Sequence, residues 1–316
     1  IYYLDKPPTP RLLVKSLQKI KPTMMLSVPL VIEKIYKSRI LPELQKNGFI
    51  RTLVKSAFIR KRLHKLAGKK LSGTFGGELH FFGIGGAALT PEVEKFLREA
   101  EFPYSIGYGL TETSPLIAGT DAKTTRLRST GPPLPGLDVK IDRPDKITGE
   151  GEILVKGPNV MKGYYKDPER TKDVFTKDGY FRTGDLGVFD EDGYLYIKGR
   201  LKNMILGPSG ENIYPEEIEA IINDQECMLE SIVFQQNDKL VARVHLNYEK
   251  LDQEFSAKNY SETRMRQEIN KLLEECRKNL NENVPTFAKI AKFIEQQEPF
   301  EKTPTQKIKR YLYIEE

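Results

Sequence analysis

Residues 107–113, with the sequence GYGLTET, combine side chains that suit a nucleoside triphosphate. Tyr108 offers an aromatic face for a base, Thr111 a hydroxyl for a phosphate oxygen, and Glu112 a hard oxygen ligand for Mg²⁺. The flanking glycines leave the end of a predicted strand open, and ligands of α/β proteins bind beyond the carboxyl ends of such strands. A polar turn that caps a helix and holds no ligand is the alternative for this segment.

Two further segments offer groups for the same kind of ligand. The run of small residues at 83–88, GIGGAA, would let a flat ring or a phosphate lie against bare backbone, although a close-packed turn without a ligand has the same composition. In the segment 180–186, YFRTGDL, Asp185 lies between a glycine and a predicted hairpin. Its carboxylate is suited to accept two hydrogen bonds from a ribose diol, and an ordinary Asp turn is the alternative.

The positive charge of the sequence is local. Lys and Arg number 50 against 44 Asp and Glu, yet residues 33–70 contain twelve Lys and Arg against only Glu33 and Glu43. The rest of the chain is therefore net acidic. Within 33–70 an apolar stripe recurs at helical spacing, with basic residues mostly around the other face; the stripe comprises Ile50, Leu53, Val54, Ala57 and Phe58, and the basic residues are Arg51, Lys55, Arg60, Lys61 and Arg62.

We interpret the 33–70 segment as a basic amphipathic helix. It is either a solvated face above a core-facing stripe, or a surface for an anionic membrane or another anionic ligand. Nucleic acid is the weaker option, because no aromatic residues are interleaved for base stacking and no recognition motif accompanies the charge. The basic tail at 302–310, KTPTQKIKR, is by itself typical of a solvated terminus.

The elements that must position these side chains follow from the surrounding pattern. Residues 79–109 predict strand, glycine turn, helix and a second short strand, with Thr90 as N-cap and Pro91 at the first helical position. This alternation favours a parallel α/β sheet. From about residue 129 to 199, short apolar runs between glycine-containing turns predict a small antiparallel sheet or barrel, including a hairpin that turns at Gly193.

The pattern of apolar and polar residues changes again after residue 200. We predict a helix over 215–222, strands near 230–235 and 240–246, and a charged helix near 262–280. The predicted organisation is therefore a first part, 1–200, that holds the nucleotide-type motifs, followed by a small α+β module at 201–316.

Composition and length bound the class of protein. The chain has 316 residues, 39% apolar and 30% charged, which excludes a disordered or fibrous protein. It contains no apolar stretch of about 18 residues and no signal-peptide layout, so we expect no integral membrane protein. Cys227 and Cys276 lie far apart and outside any CxxC pattern, which predicts neither a disulfide framework nor a zinc site and favours a reducing cytoplasm.

Taken together, these motifs resemble one family over nearly the whole chain. The strings that carry the resemblance are YGLTETSP at 108–115, YFRTGDLGVFDEDGYLYIKGRLKNMI at 180–205, GENIYPEEIE at 210–219 and TPTQKIKR at 303–310. They are similar to the adenylate-forming superfamily, which includes acyl-CoA synthetases, firefly luciferase and peptide-synthetase adenylation domains. The tail, with Gln306 where most relatives have Gly, and KPTMMLSVPLVIEKIY at 21–36 resemble the long-chain fatty acyl-CoA synthetase branch.

The resemblance implies a fold and a two-step reaction. The fold would be the C-terminal part of the large adenylate-forming domain, followed by a small lid domain. In the reaction, a fatty acid carboxylate attacks the α-phosphate of MgATP to give acyl-AMP and pyrophosphate, and the thiol of CoA then displaces AMP. ATP, Mg²⁺ and CoA are the implied cofactor and substrates. We expect a cytoplasmic protein, and peripheral contact with the inner membrane surface is a separate hypothesis, motivated by the basic segment 33–70 and by an apolar substrate.

The resemblance also assigns roles to single residues of this sequence. In the first part, the adenine would be lined by Gly86, Ala87 and Ala88 with Tyr108 against its face, the α-phosphate would meet Thr111, the magnesium would meet Glu112, and the ribose would be held by Asp185 and Arg200. In the second part, Lys202 would be the hinge of the lid, Gly210 would lie beside the pantetheine channel, and Lys307 would stabilise charge during adenylation.

Physical chemistry supports such a division of labour. Bringing a carboxylate to a triphosphate opposes like charges, so a cation such as Lys307 must arrive with the reacting groups. The thiol step needs different groups at the same centre, which a lid that turns at one residue supplies. Lys307 and Gly210 would then be presented to the same centre in turn.

One feature departs from the family, and other functions stay open. The family's phosphate loop, normally upstream of residue 1 here, is absent, and residues 72–77 are glycine-rich but lack its Lys. The chain also opens on Ile1, so we expect a piece of a larger protein that alone catalyses poorly or not at all. The alternatives are a relative that adenylates a different carboxylate, and a non-catalytic module that keeps the nucleotide cleft.

Overall fold

The computed structural model of the chain describes residues 10–45, 56–225, 227–257, 260–303 and 307–314. Contacts divide the chain into a first unit, Ile1–Ile197, and a second unit, Lys198–Glu316. The roles predicted for 1–200 and 201–316 stay predictions.

Helices and strands alternate in the amino-terminal layer of the first unit. Its elements are α1 (Pro10–Ile20), β1 (Met24–Ser27), α2 (Pro29–Ile35), a π-helical turn (Tyr36–Ile40), α3 (Leu41–Gln45), α4 (Ala57–Thr74), β2 (Phe81–Ile84), α5 (Pro91–Glu99) and β3 (Tyr104–Ile106). The three strands form a sheet in the order β1-β2-β3, and both pairings are parallel. One face of the sheet packs on the helices through the fully buried side chains of Phe82, Ile84 and Tyr104. The predicted parallel α/β sheet is confirmed.

Helix α5 begins as the sequence predicts, but its N-cap side chain has a different partner. Thr90 occupies the N-cap position and Pro91 follows it, yet the Thr90 hydroxyl makes no capping hydrogen bond. Both the hydroxyl and the backbone N–H of Thr90 donate instead to Glu33 of α2. Val93, Phe96 and Leu97 are fully buried, so α5 is held by its apolar face and by this link to α2.

The basic segment is only partly as predicted. Residues 46–55, which include Ile50, Leu53 and Val54 of the expected apolar stripe and Arg51 and Lys55 opposite it, lie outside the described residues. Ala57 and Phe58 are both exposed, Phe58 by 66%, so of the two alternatives for the stripe the core-facing one is wrong for these residues. The buried face of α4 is formed by His64, Gly68 and Leu71 instead.

The physical reason is the close approach of α4 to α5. A Cβ added to Gly68 would lie 2.7 Å from the Cβ and from the carbonyl oxygen of Ala100, the residue that follows α5. Gly68 therefore has to face α5, and this sets the rotation of α4 about its axis. The Phe58 ring then points outward, and the Arg62 guanidinium lies over it at 4.5 Å from the ring centroid.

The remainder of the first unit is antiparallel. A two-stranded ribbon of β4 (Tyr108–Gly109) and β5 (Leu116–Ala118) is followed by β6 (Asp138–Asp142), β7 (Gly151–Lys156), α6 (Pro168–Asp173), β8 (Phe181–Phe189) and β9 (Leu195–Arg200). The division between the units falls within β9, after Ile197. Strands β6 to β9 form a sheet in that order. Of the two predicted forms, the structure has the open sheet and not the closed barrel over the described residues, since four short strands are too few to close a barrel. The β8–β9 hairpin turns as predicted, with Gly193 at φ +78°.

The second unit contains the predicted α+β elements. They are β10 (Ile205–Leu206), β11 (Asn212–Ile213), α7 (Pro215–Asn223), β12 (Met228–Gln236), β13 (Lys239–Leu246), α8 (Tyr248–Ala257), α9 (Glu262–Glu282) and β14 (Lys292–Glu295). In the sheet β12-β13-β14, the first pairing is antiparallel and the second is parallel. Ile222, Val244, Leu246 and Leu280 are fully buried in the core between this sheet and the helices.

Two sequence-level expectations concern the whole chain. Among the helices of the described ranges, none combines the length and the apolar composition that crossing a membrane requires. Cys227 and Cys276 are free thiols.

The contact between α4 and α5 predicts opposite effects of the same substitution at two glycines of one helix. Gly68→Ala would place a methyl group against Ala100 and lower the free energy of unfolding by about 1–3 kcal/mol. Gly73→Ala is the matched control, since no atom lies within 4 Å of its added Cβ. There the better helix propensity of alanine should raise stability by up to about 1 kcal/mol. Urea denaturation measures both, and equal effects of the two substitutions would contradict this packing.

Candidate functional site

The carboxyl ends of the three parallel strands meet at two glycine turns. The N–H of Gly107 donates to the carbonyl oxygen of Ile84 at 2.8 Å, and the N–H of Gly85 donates to that of Ser27 at 3.1 Å. The turns that follow β2 and β3 are therefore neighbours. This is the edge of an α/β sheet where ligands bind.

The first of these turns exposes its backbone. Gly86 has φ +90°, a conformation that favours glycine, and no atom lies within 4 Å of a Cβ added there. Gly86, Ala87 and Ala88 are all exposed. The predicted small-residue turn thus offers open backbone to a flat group, as the sequence pattern suggested.

The second turn connects to β8 through a buried hydrogen bond. Tyr108 begins β4, and its hydroxyl donates to Oδ2 of Asp185 at 2.8 Å. Both side chains are buried, and the N–H of Asp185 donates to Oγ1 of Thr183 at 3.1 Å. Tyr108 and Asp185, which the sequence predicts as site residues from two different motifs 77 positions apart, are therefore in direct contact. A carboxylate has more acceptor positions than one phenol uses.

The segment that carries Thr111 and Glu112 is a tight turn between β4 and β5. Thr111–Thr113 forms one turn of 3₁₀ helix, and Oγ1 of Thr113 accepts from the N–H of Leu110 at 3.0 Å and donates to the carbonyl oxygen of Pro115 at 2.7 Å. A Cβ added to Gly109 would lie 1.7 Å from that same oxygen. Only glycine fits at 109, and the turn presents Thr111 with an exposed side chain.

Glu112 is held by a segment that the sequence analysis did not single out. The Tyr164 hydroxyl donates to Oε1 of Glu112 at 3.0 Å, and the N–H of Met161 donates to its carbonyl oxygen at 2.8 Å. Nδ2 of Asn159 donates to the carbonyl oxygen of Thr113 at 2.7 Å. Burial and the hydrogen bond to Glu112 both raise the pKa of the Tyr164 phenol, which stays a donor at neutral pH. No local spacing relates Tyr164 to Glu112, and only the tertiary fold reveals the pair.

Chemically, this edge of the first unit combines an aromatic ring, two carboxylates, a hydroxyl and open backbone. In the parts of the chain that the structure describes, no group of three or more His, Cys, Asp or Glu side chains could by itself hold a metal ion. A single carboxylate such as Glu112 matches the donor set of Mg²⁺ in nucleotide sites, where one or two carboxylates act together with phosphate oxygens.

Four predicted site residues lie in the second unit. Arg200 is the last residue of β9, and Lys202 is exposed in the 3₁₀ turn Leu201–Asn203 that follows it. Gly210 lies in the turn between β10 and β11, with φ +90° and open space at its would-be Cβ. Its N–H donates to the carbonyl oxygen of Gly207 at 3.0 Å. The fourth residue, Lys307, is exposed.

The backbone on either side of Lys307 is held in a narrow antiparallel arrangement. The N–H of Thr303 donates to the carbonyl oxygen of Lys307 at 2.8 Å, and the N–H of Lys307 donates to Oγ1 of Thr303 at 3.2 Å. The N–H of Lys309 donates to the carbonyl oxygen of Glu301 at 2.9 Å. The sequence predicts a solvated terminus from the charge alone, but this ladder fixes the backbone from which the Lys307 side chain extends.

An ion pair with little exposure anchors this tail to the rest of the second unit. The Arg310 guanidinium donates to Oε1 of Glu219 at 2.6 Å and to the carbonyl oxygen of Val233 at 2.7 Å. The N–H of Val233 donates to the same Glu219 oxygen at 2.7 Å. Burial raises the pKa of Glu219 to about 7, against the opposing effect of Arg310. A raised pKa means that the folded protein favours the protonated form of Glu219. The contribution of this protonation to folding stability is present at low pH and is lost as the pH rises through about 7.

Sequence reasoning missed both members of this pair. Glu219 is the last residue of the 210–219 motif and Arg310 is the last residue of the 303–310 motif, and the family resemblance assigns neither residue a role. The sequence shows only a glutamate in the predicted helix at 215–222 and an arginine in the basic tail. Their separation of 91 positions gives no local reason to join them.

The mixed α/β fold, with its parallel and antiparallel sheets, matches that of adenylate-forming enzymes. The chain belongs to the AMP-binding enzyme family, whose model matches residues 1–165.

Known proteins of two kinds are similar to the chain. The peroxisomal long chain acyl-CoA synthetase 7 of Arabidopsis thaliana is 34% identical over 257 residues, which cover 73% of this chain and 36% of the relative. The 2-succinylbenzoate–CoA ligase of Staphylococcus epidermidis is 36% identical over 175 residues, which cover 55% of this chain and 36% of that protein. Thus the chain spans about a third of the length of these relatives.

Among solved structures, the ATP-bound RpMatB-BxBclM chimera B1 superimposes with a TM-score of 0.69 at 25% identity. The match covers 96% of this chain and 52% of that one. The chain therefore shares the fold of that structure over almost all of its own length.

The Arg310–Glu219 pair predicts a large cost for a single substitution in the tail. Arg310→Ala would leave the Glu219 carboxyl without its cation and should lower the free energy of unfolding of the second unit by about 3–5 kcal/mol. The matched control is Arg264→Ala, because Arg264 pairs with Glu268 at 2.6 Å but is 55% exposed. Its cost should stay below about 1 kcal/mol. Thermal and urea unfolding measure both, and equal costs would show that Arg310 is not an anchor.

Proposed function

We propose that the protein that contains this chain is an AMP-forming CoA ligase. It uses ATP to convert a carboxylate to an acyl-adenylate with release of pyrophosphate, and then transfers the acyl group to the thiol of CoA. The observation that carries this proposal is the Tyr108–Asp185 hydrogen bond, because it joins a ring suited to a base with a carboxylate suited to a ribose. Membership of the AMP-binding enzyme family and two kinds of CoA-ligase relatives support it.

We further propose that the carboxylate is a long-chain fatty acid. The segments 21–36 and 303–310 support this, since both resemble the long-chain branch, and so does the coverage of this chain by the Arabidopsis relative. The 2-succinylbenzoate–CoA ligases are the competing model, because their identity to this chain is similar over a shorter stretch.

In the first unit, each group of the nucleotide has a proposed partner. The adenine lies against the open backbone of Gly86, Ala87 and Ala88, with the ring of Tyr108 at its face, and Asp185 accepts from the ribose hydroxyls. Thr111 donates its exposed hydroxyl to the α-phosphate. The turn that Tyr164 and Asn159 brace keeps Thr111 and Glu112 at a fixed spacing, which is what positioning of a reacting phosphate requires.

Magnesium fits Glu112 by the chemistry of its side chain. The carboxylate is half-buried, is oriented by Tyr164, and supplies the oxygen ligand that Mg²⁺ prefers. When bound with ATP, Mg²⁺ would neutralise charge on the phosphates.

In the second unit, the proposed roles belong to four residues. Arg200 completes the ribose contact, Lys202 is the hinge, and Lys307 stabilises the charge that develops during adenylation. Gly210 leaves room for the pantetheine arm of CoA. A hollow beside its hairpin supports this role, because its lining is mostly apolar and also contains Lys239, Lys289 and Asp238.

The ribose contact predicts a specific interaction between one variant and one nucleotide analogue. Asp185→Asn weakens the acceptor for the ribose diol, so we expect the KM for ATP to rise by about tenfold or more in the complete protein. The KM for 2′,3′-dideoxy-ATP, which lacks both hydroxyls, should be high in the wild type and nearly unchanged by the substitution. Steady-state pyrophosphate release measures all four values.

The matched control for that experiment is Glu191→Gln, an exposed carboxylate in the turn after β8. It should leave both KM values unchanged. If Asp185→Asn raised the KM equally for ATP and for the dideoxy analogue, the ribose contact would be disproved.

The choice of carboxylate predicts a ranking of substrates. With ATP and CoA, the complete protein should form thioester at least about tenfold more efficiently, in kcat/KM, from palmitate than from 2-succinylbenzoate or acetate, since each buried CH₂ of a long chain adds favourable transfer energy. The reverse ranking would assign the protein to another branch of the family, while AMP formation with none of a broad carboxylate panel would refute the ligase itself.

A further inference from the structure

The outward side of α4 carries a continuous patch of basic and apolar side chains. Its members follow one another at helical spacing and are exposed; we call them the basic face: Phe58, Lys61, Arg62, Lys65, Leu66 and Lys69. The opposite side of the helix is fixed against the core through His64, Gly68 and Leu71. The basic face therefore lies on a helix whose other side is already packed against the core.

The charge of α4 has one sign. The helix contains six Lys and Arg and no Asp or Glu. Three of the six pair with acids elsewhere in the unit: Arg60 with Glu99, Lys65 with Glu101 and Lys70 with Glu43. Lys61, Arg62 and Lys69 make no ion pair with any of the residues that the structure describes. The positive charge of these three side chains can therefore attract an anionic partner of the protein.

Two large apolar side chains accompany these cations. Phe58 is 66% exposed and Leu66 is 62% exposed. The Arg62 guanidinium lies 4.5 Å from the centroid of the Phe58 ring, so the aromatic and the cation form one unit. Neither side chain is needed by the core, whose contact with α4 runs through the opposite side. Exposed Phe and Leu among cations is the composition of surfaces that lie in a membrane interface.

We propose that the basic face docks this unit onto an anionic lipid bilayer. Phe58 and Leu66 enter the boundary between headgroups and acyl chains, and the cations of the face lie among the negative headgroups. The predicted cytoplasmic setting would present such a leaflet. A nucleic acid is disfavoured, because Phe58 is the one aromatic residue of the face and stacking of successive bases needs several. The proposal is independent of the reaction proposed above.

Binding of this kind has a characteristic dependence on lipid charge and salt. Each cation near an anionic surface strengthens binding by about fivefold, so loss of three should weaken it by about a hundredfold or more. High salt should release the protein, because screening shortens the reach of surface charges to a few ångströms.

The test is co-sedimentation of the protein with vesicles of phosphatidylcholine alone or with about 30% phosphatidylserine. We expect binding to the anionic vesicles only, its loss at about 1 M salt, and its loss in the variant Lys61→Glu/Arg62→Glu/Lys69→Glu. The variant Phe58→Ser/Leu66→Ser keeps every charge and should weaken binding by about tenfold or more. It provides a second measure that does not depend on charge reversal.

The matched control is Lys123→Glu/Lys146→Glu/Lys177→Glu, which makes the same change in net charge at three exposed lysines of the same unit. It should retain most of the binding, and circular dichroism should show that all variants are folded. The proposal is overturned if neutral vesicles bind equally, if the control loses as much binding as the basic-face variant, or if neither basic-face variant weakens binding. Binding of a single-stranded oligonucleotide with the same dependence on Lys61, Arg62 and Lys69 would replace the membrane with a nucleic acid.

Discussion

The buried hydrogen bond between Tyr108 and Asp185 is the interaction on which the first unit depends. It joins the ribbon that follows the parallel sheet to β8, one of the two inner strands of the antiparallel sheet. A buried carboxylate is costly without donors, so the pair ties Asp185 to one position and Tyr108 to one orientation. The glycine turns at the ends of β2 and β3 then lie next to a fixed ring and a fixed acid.

The second unit uses the same physical device to a different end. There a guanidinium and a carboxyl with little exposure hold the tail that carries Lys307 against α7 and β12. In both units, the proposed site residues have partners that fix their positions: Tyr164 holds the side chain of Glu112, and Thr303 holds the backbone of Lys307. Such support is what keeps a site within the narrow geometry that chemistry requires.

The sequence was sufficient for features with local signals and insufficient for those set by tertiary contact. The parallel units around 79–109, the hairpin at Gly193 and the elements of the second unit followed from periodicity and turn residues. The sequence could not decide between a core-facing and an outward Phe58, because nothing local showed that Gly68 must face Ala100. The Tyr164–Glu112 and Arg310–Glu219 pairs join residues 52 and 91 positions apart, and no single sequence encodes such pairings in its spacing.

The most direct test of the central claim is photolabelling of the complete protein with 8-azido-ATP, followed by mass spectrometry of the labelled peptides. An adenine held between Gly86–Ala88 and the ring of Tyr108 predicts label within residues 83–109, suppressed by excess ATP and strongly reduced by Asp185→Asn. Label that ATP suppresses equally but that falls entirely on peptides outside that range would contradict the account.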